Sequence, residues 1–148
     1  MEFVIRKAKT EDISTIWNLG KDIPFFETSE DIITFWPKSV LDDCIDKDDV
    51  LILVIEIQNK IFGFIIGNAN NSLKKAEVEN IFIIPEYRNQ GYAKKLLEHL
   101  VKELEAKGIE NICAMSEDHI ADFYEKSNFA RGNKYYWMDL ALSDRFKK

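Results

Sequence analysis

The spacing of apolar residues is most regular in the second half of the chain, where it predicts a long amphipathic helix. Apolar residues recur there with the 3.6-residue period of a helix that buries one face. They are Ala93, Leu96, Leu97, Leu100, Val101 and Leu104. We expect the helix to start at Gln90 or Gly91 and to end at Lys107, because Gly108 favours the left-handed turn that closes many helices.

The segment before this helix predicts a strand over Glu77–Ile84, because it is rich in β-branched and aromatic residues. If it alternates regularly, its residues Glu77, Glu79, Ile81 and Ile83 share one face. The same composition predicts further strands at Phe3–Ala8, Val50–Ile57, Ile61–Asn68, Ile109–Met115 and Arg131–Leu142. The second and third of these are spaced as a hairpin, and the polar tail after the last strand is expected to fray.

Three shorter helices are predicted from their start signals. Thr10 is a plausible N-cap for a helix that ends at Gly20. Thr28 begins a second helix, which Pro37 should interrupt. Ser116–Asn128 forms a third. The predicted order is β-α-α-β-β-β-α-β-α-β, which indicates an α/β protein with a mixed sheet.

Composition limits the classes of function. The length of 148 residues suits one domain over residues 1–148. The net charge of −6 disfavours a nucleic-acid-binding protein. The longest apolar run, Val50–Ile55, is too short to cross a membrane, and the N-terminus lacks the pattern of a signal peptide. We therefore expect a cytoplasmic protein. The cysteines and histidines are not at ligand spacing, so we expect no metal site.

The loop between the Glu77–Ile84 strand and the long helix carries the clearest chemical signal. It reads Arg88-Asn89-Gln90-Gly91-Tyr92-Ala93-Lys94. A helix start presents free N–H groups and the positive end of the helix dipole, which together favour a phosphate. Gly91 allows a ligand to approach the backbone where a Cβ would collide with it.

The pattern Arg88-x-x-Gly91-x-Ala93, after a strand and before a helix, resembles the signature of the GNAT superfamily, the GCN5-related N-acetyltransferases. A second match lies downstream, where Ala121–Phe129 is similar to the family's Ala-x-x-Phe-Tyr-x-x-x-Gly-Phe segment. The predicted element order is also that of the family. The resemblance implies a GNAT fold whose two central strands splay apart, with the thioester arm of acetyl-CoA in the gap.

The resemblance also implies roles for individual residues. The loop Arg88–Lys94 would hold the pyrophosphate of acetyl-CoA, and the backbone of Ile81, Phe82 and Ile83 would pair with the pantetheine amides. An N–H near Ile81 would stabilise the oxyanion. Tyr124 would protonate the coenzyme A thiolate as it leaves. Asn128 stands where the family has Gly, and Asp118 stands where many members have Asn. A ligand role for Asp118 is therefore open.

The base that deprotonates the acceptor is less constrained. Glu77 matches the position of the base in histone-type members of the family, and Glu79 lies one step nearer the loop. The alternative is that both are solvated strand residues. Nucleophilic catalysis through Cys113 is the rival mechanism, but no basic residue adjoins it in sequence to lower its pKa.

These observations predict an N-acetyltransferase that moves acetyl from acetyl-CoA to a primary amine by direct attack in a ternary complex. The alternative is a non-catalytic module of the same fold that binds acyl-CoA or a partner protein. A structural protein without a coenzyme site is disfavoured by the intact loop. We expect the acceptor to be a small amine or an amine of a peptide or protein. The sequence is also compatible with a homodimer. By resemblance, acceptor contacts come from the loop after the first helix and from the last strands, which here contain Phe25, Phe26, Trp36, Tyr135, Tyr136 and Trp137. These aromatic residues either line an acceptor groove or belong to the core.

Overall fold

The computed structural model describes residues 2–26, 31–33 and 35–148, with nothing stated of the side chain of Phe25. Five strands form one sheet in the order β1-β2-β3-β4-β5. They are β1 (Val4–Lys7), β2 (Val50–Ile57), β3 (Lys60–Asn70), β4 (Lys75–Ile83) and β5 (Asn111–Ala114). From β1 to β4, each strand pairs antiparallel with the next strand along the chain, while β4 and β5 pair in parallel. The prediction of an α/β fold with a mixed sheet is confirmed.

Four α-helices cover the sheet. They are α1 (Ile13–Gly20), α2 (Lys38–Cys44), α3 (Tyr92–Ala106) and α4 (Asp118–Glu125). Short 3-10 turns lie at Thr10–Asp12, Pro24–Phe26, Pro85–Tyr87 and Asp144–Phe146. α3 follows the predicted helix closely because its apolar stripe, including Leu96, Leu97 and Leu100, is fully buried against the sheet.

The two faces of the sheet belong to two separate cores. Along β2, Leu51, Leu53 and Ile55 face the core that contains the α3 leucines. Alternate residues such as Ile52 and Val54 face the core formed by α1 and α2. Burial on both faces explains why β2 reads as a continuous apolar run, whereas a strand with one wet face would alternate with polar residues.

The β2–β3 hairpin turns at Gln58 and Asn59, whose φ angles are 50° and 63°. Two left-handed residues in succession are the requirement of the tight hairpin turn whose twist matches that of the strands. The predicted hairpin is therefore present, with its turn at Gln58 and Asn59.

The break expected at Pro37 is present, because α2 begins directly after this proline. The predicted start at Thr28 lies outside the described residues. At the C-terminus, the predicted strand Arg131–Leu142 is wrong: these residues form no strand, and residues 131–140 are exposed. Apolar residues alternate from Tyr136 to Leu142, but no strand of the described residues pairs with this segment.

The tail after this segment is attached to the protein, contrary to the expected fraying. Ile33 donates its backbone N–H to Phe146 O at 2.7 Å, and Ile32 forms an antiparallel bridge with Lys147. Arg145 forms an ion pair with Asp43 of α2 at 3.2 Å. The last six residues are thus held beside α2 by hydrogen bonds that sequence periodicity does not show.

Candidate active site

A gap opens between β4 and β5 along the second half of β4. The two strands pair only from Lys75 with Asn111 to Val78 with Ala114. Ile84 donates to Phe62 O at 2.9 Å. By the alternation of antiparallel pairing, the backbone groups of Phe82 then point toward β3, and those of Ile81 and Ile83 point into the gap.

A β-bulge lies where the gap begins. Gly67 of β3 pairs with Val78, and Ile66, which precedes Gly67, pairs with Asn80. Glu79 is therefore an extra residue in β4. The extra residue reverses the alternation of the strand. Val78 and Ile83 accordingly both pack in the core on the α3 side. The prediction that Glu77, Glu79, Ile81 and Ile83 share one face is therefore wrong.

The two glutamates remain close together on the α1–α2 side of the sheet. Glu77 lies directly opposite Asn68 of β3, and the Asn68 side chain also lies beside Glu79. Desolvation raises the pKa of both carboxyls, and the negative charge of Glu77 raises the pKa of Glu79 further. No described cation forms an ion pair with either. Two half-buried carboxylates with raised pKa values are suited to accept a proton near neutral pH.

The loop after β4 has the geometry of an anion site at a helix start. Asn89 and Gly91 are both left-handed, with φ angles of 59° and 84°. α3 begins after Gly91 without a side chain that caps its first N–H groups. A Cβ built on Gly91 meets nothing within 4 Å. No described residue accepts a hydrogen bond from the N–H groups of Asn89, Gln90, Gly91, Tyr92, Ala93 and Lys94, and the helix dipole is positive at this end of α3.

Arg88 braces this loop against the end of β4. Its Nε donates to Ile83 O at 2.8 Å, and its guanidinium lies 5.4 Å from the centroid of the Phe82 ring. The contact with Ile83 O agrees with the direction of that carbonyl, away from β3. In this structure Arg88 fixes the loop position, a role that the sequence pattern alone did not indicate.

Tyr124 lies on α4 with its ring packed between Phe123 and Phe129, at centroid distances of 5.1 and 5.3 Å. It is 8% exposed, and desolvation raises its pKa to about 12. No described residue accepts a hydrogen bond from its hydroxyl. The phenol therefore stays protonated at neutral pH with its donor uncommitted.

Asn128 takes the place of the expected glycine at the end of α4. It is left-handed, with a φ angle of 70°. Phe129 donates to Tyr124 O at 3.0 Å and Asn128 donates to Glu125 O at 3.0 Å, which is the Schellman pattern. Asn128 thus forms the left-handed turn in which the family has a glycine.

Asp118, the first residue of α4, forms an ion pair with Lys134 at 3.0 Å, and this lysine lowers the pKa of its carboxyl. Cys113 lies opposite Glu77 in the β4–β5 pairing. Desolvation and the Glu77 carboxylate raise the pKa of its thiol, so it is a poor nucleophile. Cys113 is exposed, whereas Cys44 is buried.

The predicted acceptor aromatics divide into two groups. Phe26 and Trp36 line a cavity of about 360 Å³ on the α1–α2 side, together with Trp17 and Phe35. Trp36 donates its Nε1–H to Asn80 at 2.9 Å, next to the bulge. Tyr135, Tyr136 and Trp137 lie on the unpaired C-terminal segment, and nothing is described of the Phe25 side chain. Asn68 and Asn80 were not predicted as site residues. The sequence feature that could have indicated them is a polar residue within an otherwise apolar strand.

Within the described ranges, no three His, Cys, Asp or Glu side chains are grouped as a metal site. No α-helix of the described chain combines the length and the apolar character needed to span a bilayer.

Comparison with known proteins identifies the family. The model of the acetyltransferase (GNAT) family matches residues 10–129. The chain belongs to this family. Both the predicted resemblance to GNAT proteins and the prediction of an acyltransferase are thereby confirmed at the level of the family.

Over the aligned residues, curated relatives are about a quarter identical to this chain. The acetyltransferase SG1711 of Sodalis glossinidius is 26% identical over 131 residues, which cover 85% of this chain and 84% of that protein. GCN5-related N-acetyltransferase 2, chloroplastic, of Arabidopsis thaliana is 29% identical over 72 residues. This match spans 49% of this chain and only 28% of the plant protein.

Solved GNAT structures share the fold. The ribosomal-protein-S18-alanine N-acetyltransferase of Escherichia coli has a TM-score of 0.71 and 22% identity, with 89% of this chain and 80% of that chain covered. AAC(6')-Iy, in complex with the bisubstrate analogue CoA-S-monomethyl-acetylneamine, has a TM-score of 0.75 and 15% identity, with 96% and 100% covered.

Proposed function

We propose that this GNAT protein transfers an acetyl group from acetyl-CoA to a primary amine by direct attack in a ternary complex. The observation that carries the proposal is the continuity of the β4–β5 gap with the uncapped start of α3. An elongated ligand with a phosphate-bearing end and a thin, amide-bearing arm fits that arrangement. The bisubstrate analogue bound to AAC(6')-Iy is a coenzyme A derivative, which supports a coenzyme of this class.

The residues present fit such a ligand. The N–H groups of Asn89–Lys94 would hold the pyrophosphate, because they lack other acceptors and lie at the positive end of the α3 dipole. The gap-facing backbone groups of Ile81 and Ile83 would pair with the pantetheine amides as a neighbouring strand does. An N–H in this stretch would also donate to the developing oxyanion.

The titratable groups supply the proton transfers. A protonated amine cannot attack a thioester, so Glu79 or Glu77 would accept its proton, directly or through water. The amine nitrogen then forms a bond to the acyl carbon, and the carbon–sulfur bond breaks as the tetrahedral intermediate collapses. Tyr124 would donate its hydroxyl proton to the departing thiolate. Its raised pKa keeps that proton available throughout the neutral range.

The acceptor is proposed to approach from the α1–α2 side, because Glu77, Glu79 and the Trp36–Asn80 contact all lie there. Solved structures with this fold include enzymes named for an alanine of ribosomal protein S18 and for aminoglycosides. Both kinds of acceptor carry cationic amines, which two carboxylates would attract.

A panel of amines with acetyl-CoA tests the proposal, with release of free coenzyme A thiol as the readout. The panel should hold polyamines, aminoglycosides, and peptides with a free N-terminus or lysine. Direct transfer predicts intersecting double-reciprocal plots and no labelled enzyme after incubation with radioactive acetyl-CoA alone. A covalent acetyl-enzyme would contradict the direct attack. Tight binding of acetyl-CoA without transfer to any amine would favour the non-catalytic binding module.

A further inference from the structure

Glu79 is the one residue of β4 whose backbone pairs with neither neighbouring strand. It is the extra residue of the bulge, so no residue of β3 lies opposite it. It also follows Val78, where the pairing with β5 ends. A bulge leaves its extra residue outside the ladder of hydrogen bonds. The direction of the Glu79 carboxylate therefore depends on neighbouring side chains, because the ladder does not fix the backbone at this point.

Asn80, the next residue of β4, is fixed by a side chain from the α1–α2 side. It pairs with Ile66 of β3, and its side-chain oxygen accepts a hydrogen bond from the indole N–H of Trp36 at 2.9 Å. Because this bond is shielded in part from water, it is held more firmly than an exposed one. The bond thus ties the chain directly after Glu79 to the segment before α2.

Trp36 itself has little freedom to move. It precedes Pro37, which favours an extended backbone at Trp36 and whose carbonyl accepts the first backbone hydrogen bonds of α2. On its other side, Phe35 is buried, and its ring centroid lies 5.9 Å from that of Phe64 on β3. The indole N–H is therefore presented to Asn80 from a rigid part of the fold.

Glu77 is held differently from Glu79. It lies within the paired part of the sheet, directly between Asn68 of β3 and Cys113 of β5. Glu79 is the first residue beyond the last β4–β5 pair, so it lies where the gap begins. Of the two carboxylates, Glu79 is thus nearer to the gap and depends more on support from other side chains.

We propose that Trp36 is a positioning residue for the base: through its hydrogen bond to Asn80 it holds the β4 bulge so that the Glu79 carboxylate faces the acceptor amine. The role rests on the proposed function and makes Glu79 the group that accepts the amine proton. A general base must lie within hydrogen-bond reach of that proton, and a small displacement of a reacting group lowers the rate steeply. Loss of the Trp36 N–H should therefore slow catalysis without weakening the binding of acetyl-CoA.

Titration of the Glu79 carboxyl by NMR tests the support without relying on activity. Burial raises the pKa of this carboxyl in the wild type. Trp36→Phe keeps a ring at this position and removes the indole N–H, so the released carboxylate should turn toward water and its pKa should fall toward the ordinary 4.5. Trp17→Phe is the matched control, because Trp17 lines the same cavity but donates no hydrogen bond to a described residue. The pKa of Glu79 should stay raised in this control. An unchanged pKa in Trp36→Phe would overturn the proposal.

A kinetic cycle tests whether the support acts through Glu79. With Glu79 present, Trp36→Phe should have a kcat at least ~10-fold below that of Trp17→Phe, with equal affinity for acetyl-CoA. In the Glu79→Gln background the two variants should differ less than ~2-fold, because Trp36 then has no base to position. Asn80→Ala removes the acceptor of the same bond and should reproduce the results of Trp36→Phe.

Thermal melts identify which variants are folded, and Asn80→Ala provides the test if Trp36→Phe is not. An equal loss of kcat in both backgrounds would mean that Trp36 supports the fold or contacts the acceptor directly, and would overturn the proposal. A wild type that acetylates no amine would refute the proposed function, while the titration would still decide whether Trp36 holds Glu79.

Discussion

Val78 and Ala114 form the last pair between β4 and β5, and the extra residue of the β4 bulge, Glu79, follows directly after Val78. Two consequences arise at one point of the sheet. The strands separate, which frees backbone groups of Ile81 and Ile83. The alternation also reverses, which keeps Glu79 beside Glu77 and turns Ile81 toward the α3 core. The gap and the carboxylates are thus placed on the same short stretch of backbone.

The first prediction concerns the phosphate loop. Gly91→Glu should weaken acetyl-CoA binding by roughly 10- to 100-fold, about 1.4–2.8 kcal/mol, because the new carboxylate would crowd and repel the phosphates. Isothermal titration calorimetry measures the affinity. Gly108→Glu is the matched control at the other end of α3. Gly108 has a φ angle of 86° and equally open surroundings, so both variants carry the same backbone strain. Equal affinities in the two variants would refute the assignment.

The second prediction concerns the proton donor. Tyr124→Phe keeps the ring packing against Phe123 and Phe129 and removes only the hydroxyl. We expect kcat to fall ~10²-fold or more, while the dissociation constant of acetyl-CoA is unchanged. Tyr87→Phe, in the 3-10 turn before the loop, loses a hydroxyl without that role and should keep full kcat. An unchanged kcat for Tyr124→Phe at saturating substrates would make Tyr124 a packing residue only.

The parts of the site that follow from sequence are those set by local rules. The α3 stripe and the left-handed Gly108 that ends the helix depend on a few neighbouring residues, and their patterns predicted them. The bulge at Glu79 depends on how β3 and β4 align across the sheet. Because nothing within β4 itself marks an extra residue, strict alternation gave the wrong face for two of four side chains.

The predicted closing strand failed for a related reason. The sequence of residues 131–142 has the composition of a strand, but a strand forms only where another strand edge is available to it. Composition indicates a tendency to form a strand, but it does not show whether a second strand is available for pairing. The segment therefore has the apolar residues of a strand without its backbone hydrogen bonds.

The third prediction concerns stability against acid. Asp12 is 7% exposed and accepts hydrogen bonds from Arg6 Nη1 at 2.7 Å and from the Lys9 backbone at 2.8 Å. Arg6 lowers the pKa of its carboxyl below the ordinary 3.8. A lowered pKa in the folded state stabilises the protein above the unfolded pKa, and this stabilisation is lost as the pH falls through the folded pKa.

Asp12→Asn should therefore lower the free energy of unfolding by about 2–3 kcal/mol at pH 7, and the difference from wild type should shrink below pH 4. Urea unfolding at several pH values measures it. Asp42→Asn removes an exposed i,i+4 pair with Lys38 and should cost less than about 0.5 kcal/mol. A pH-independent difference would show that the Asp12 charge does not stabilise the fold.

The last prediction concerns the charge of the acceptor. Glu77 and Glu79 lie together beside the gap, and burial raises the pKa of both. Their charges should attract a cationic amine, so basic acceptors should be used better than neutral or acidic ones. Added salt should lower kcat/KM, because exposed attraction is screened over ~8–10 Å at ordinary ionic strength.

Glu79→Gln and Glu77→Gln separate recruitment from deprotonation. The variant that removes the base should lower kcat by ~10²-fold or more, with the largest loss at low pH, where fewer amines are free. Neither variant should unfold more easily, because ionising a carboxyl with a raised pKa costs folding free energy at neutral pH. Glu105→Gln, on the exposed side of α3, is the control and should leave both rate and salt dependence unchanged. A preference for acidic peptides, or full activity in the Glu77→Gln/Glu79→Gln double variant, would show that the carboxylates neither recruit nor deprotonate the amine.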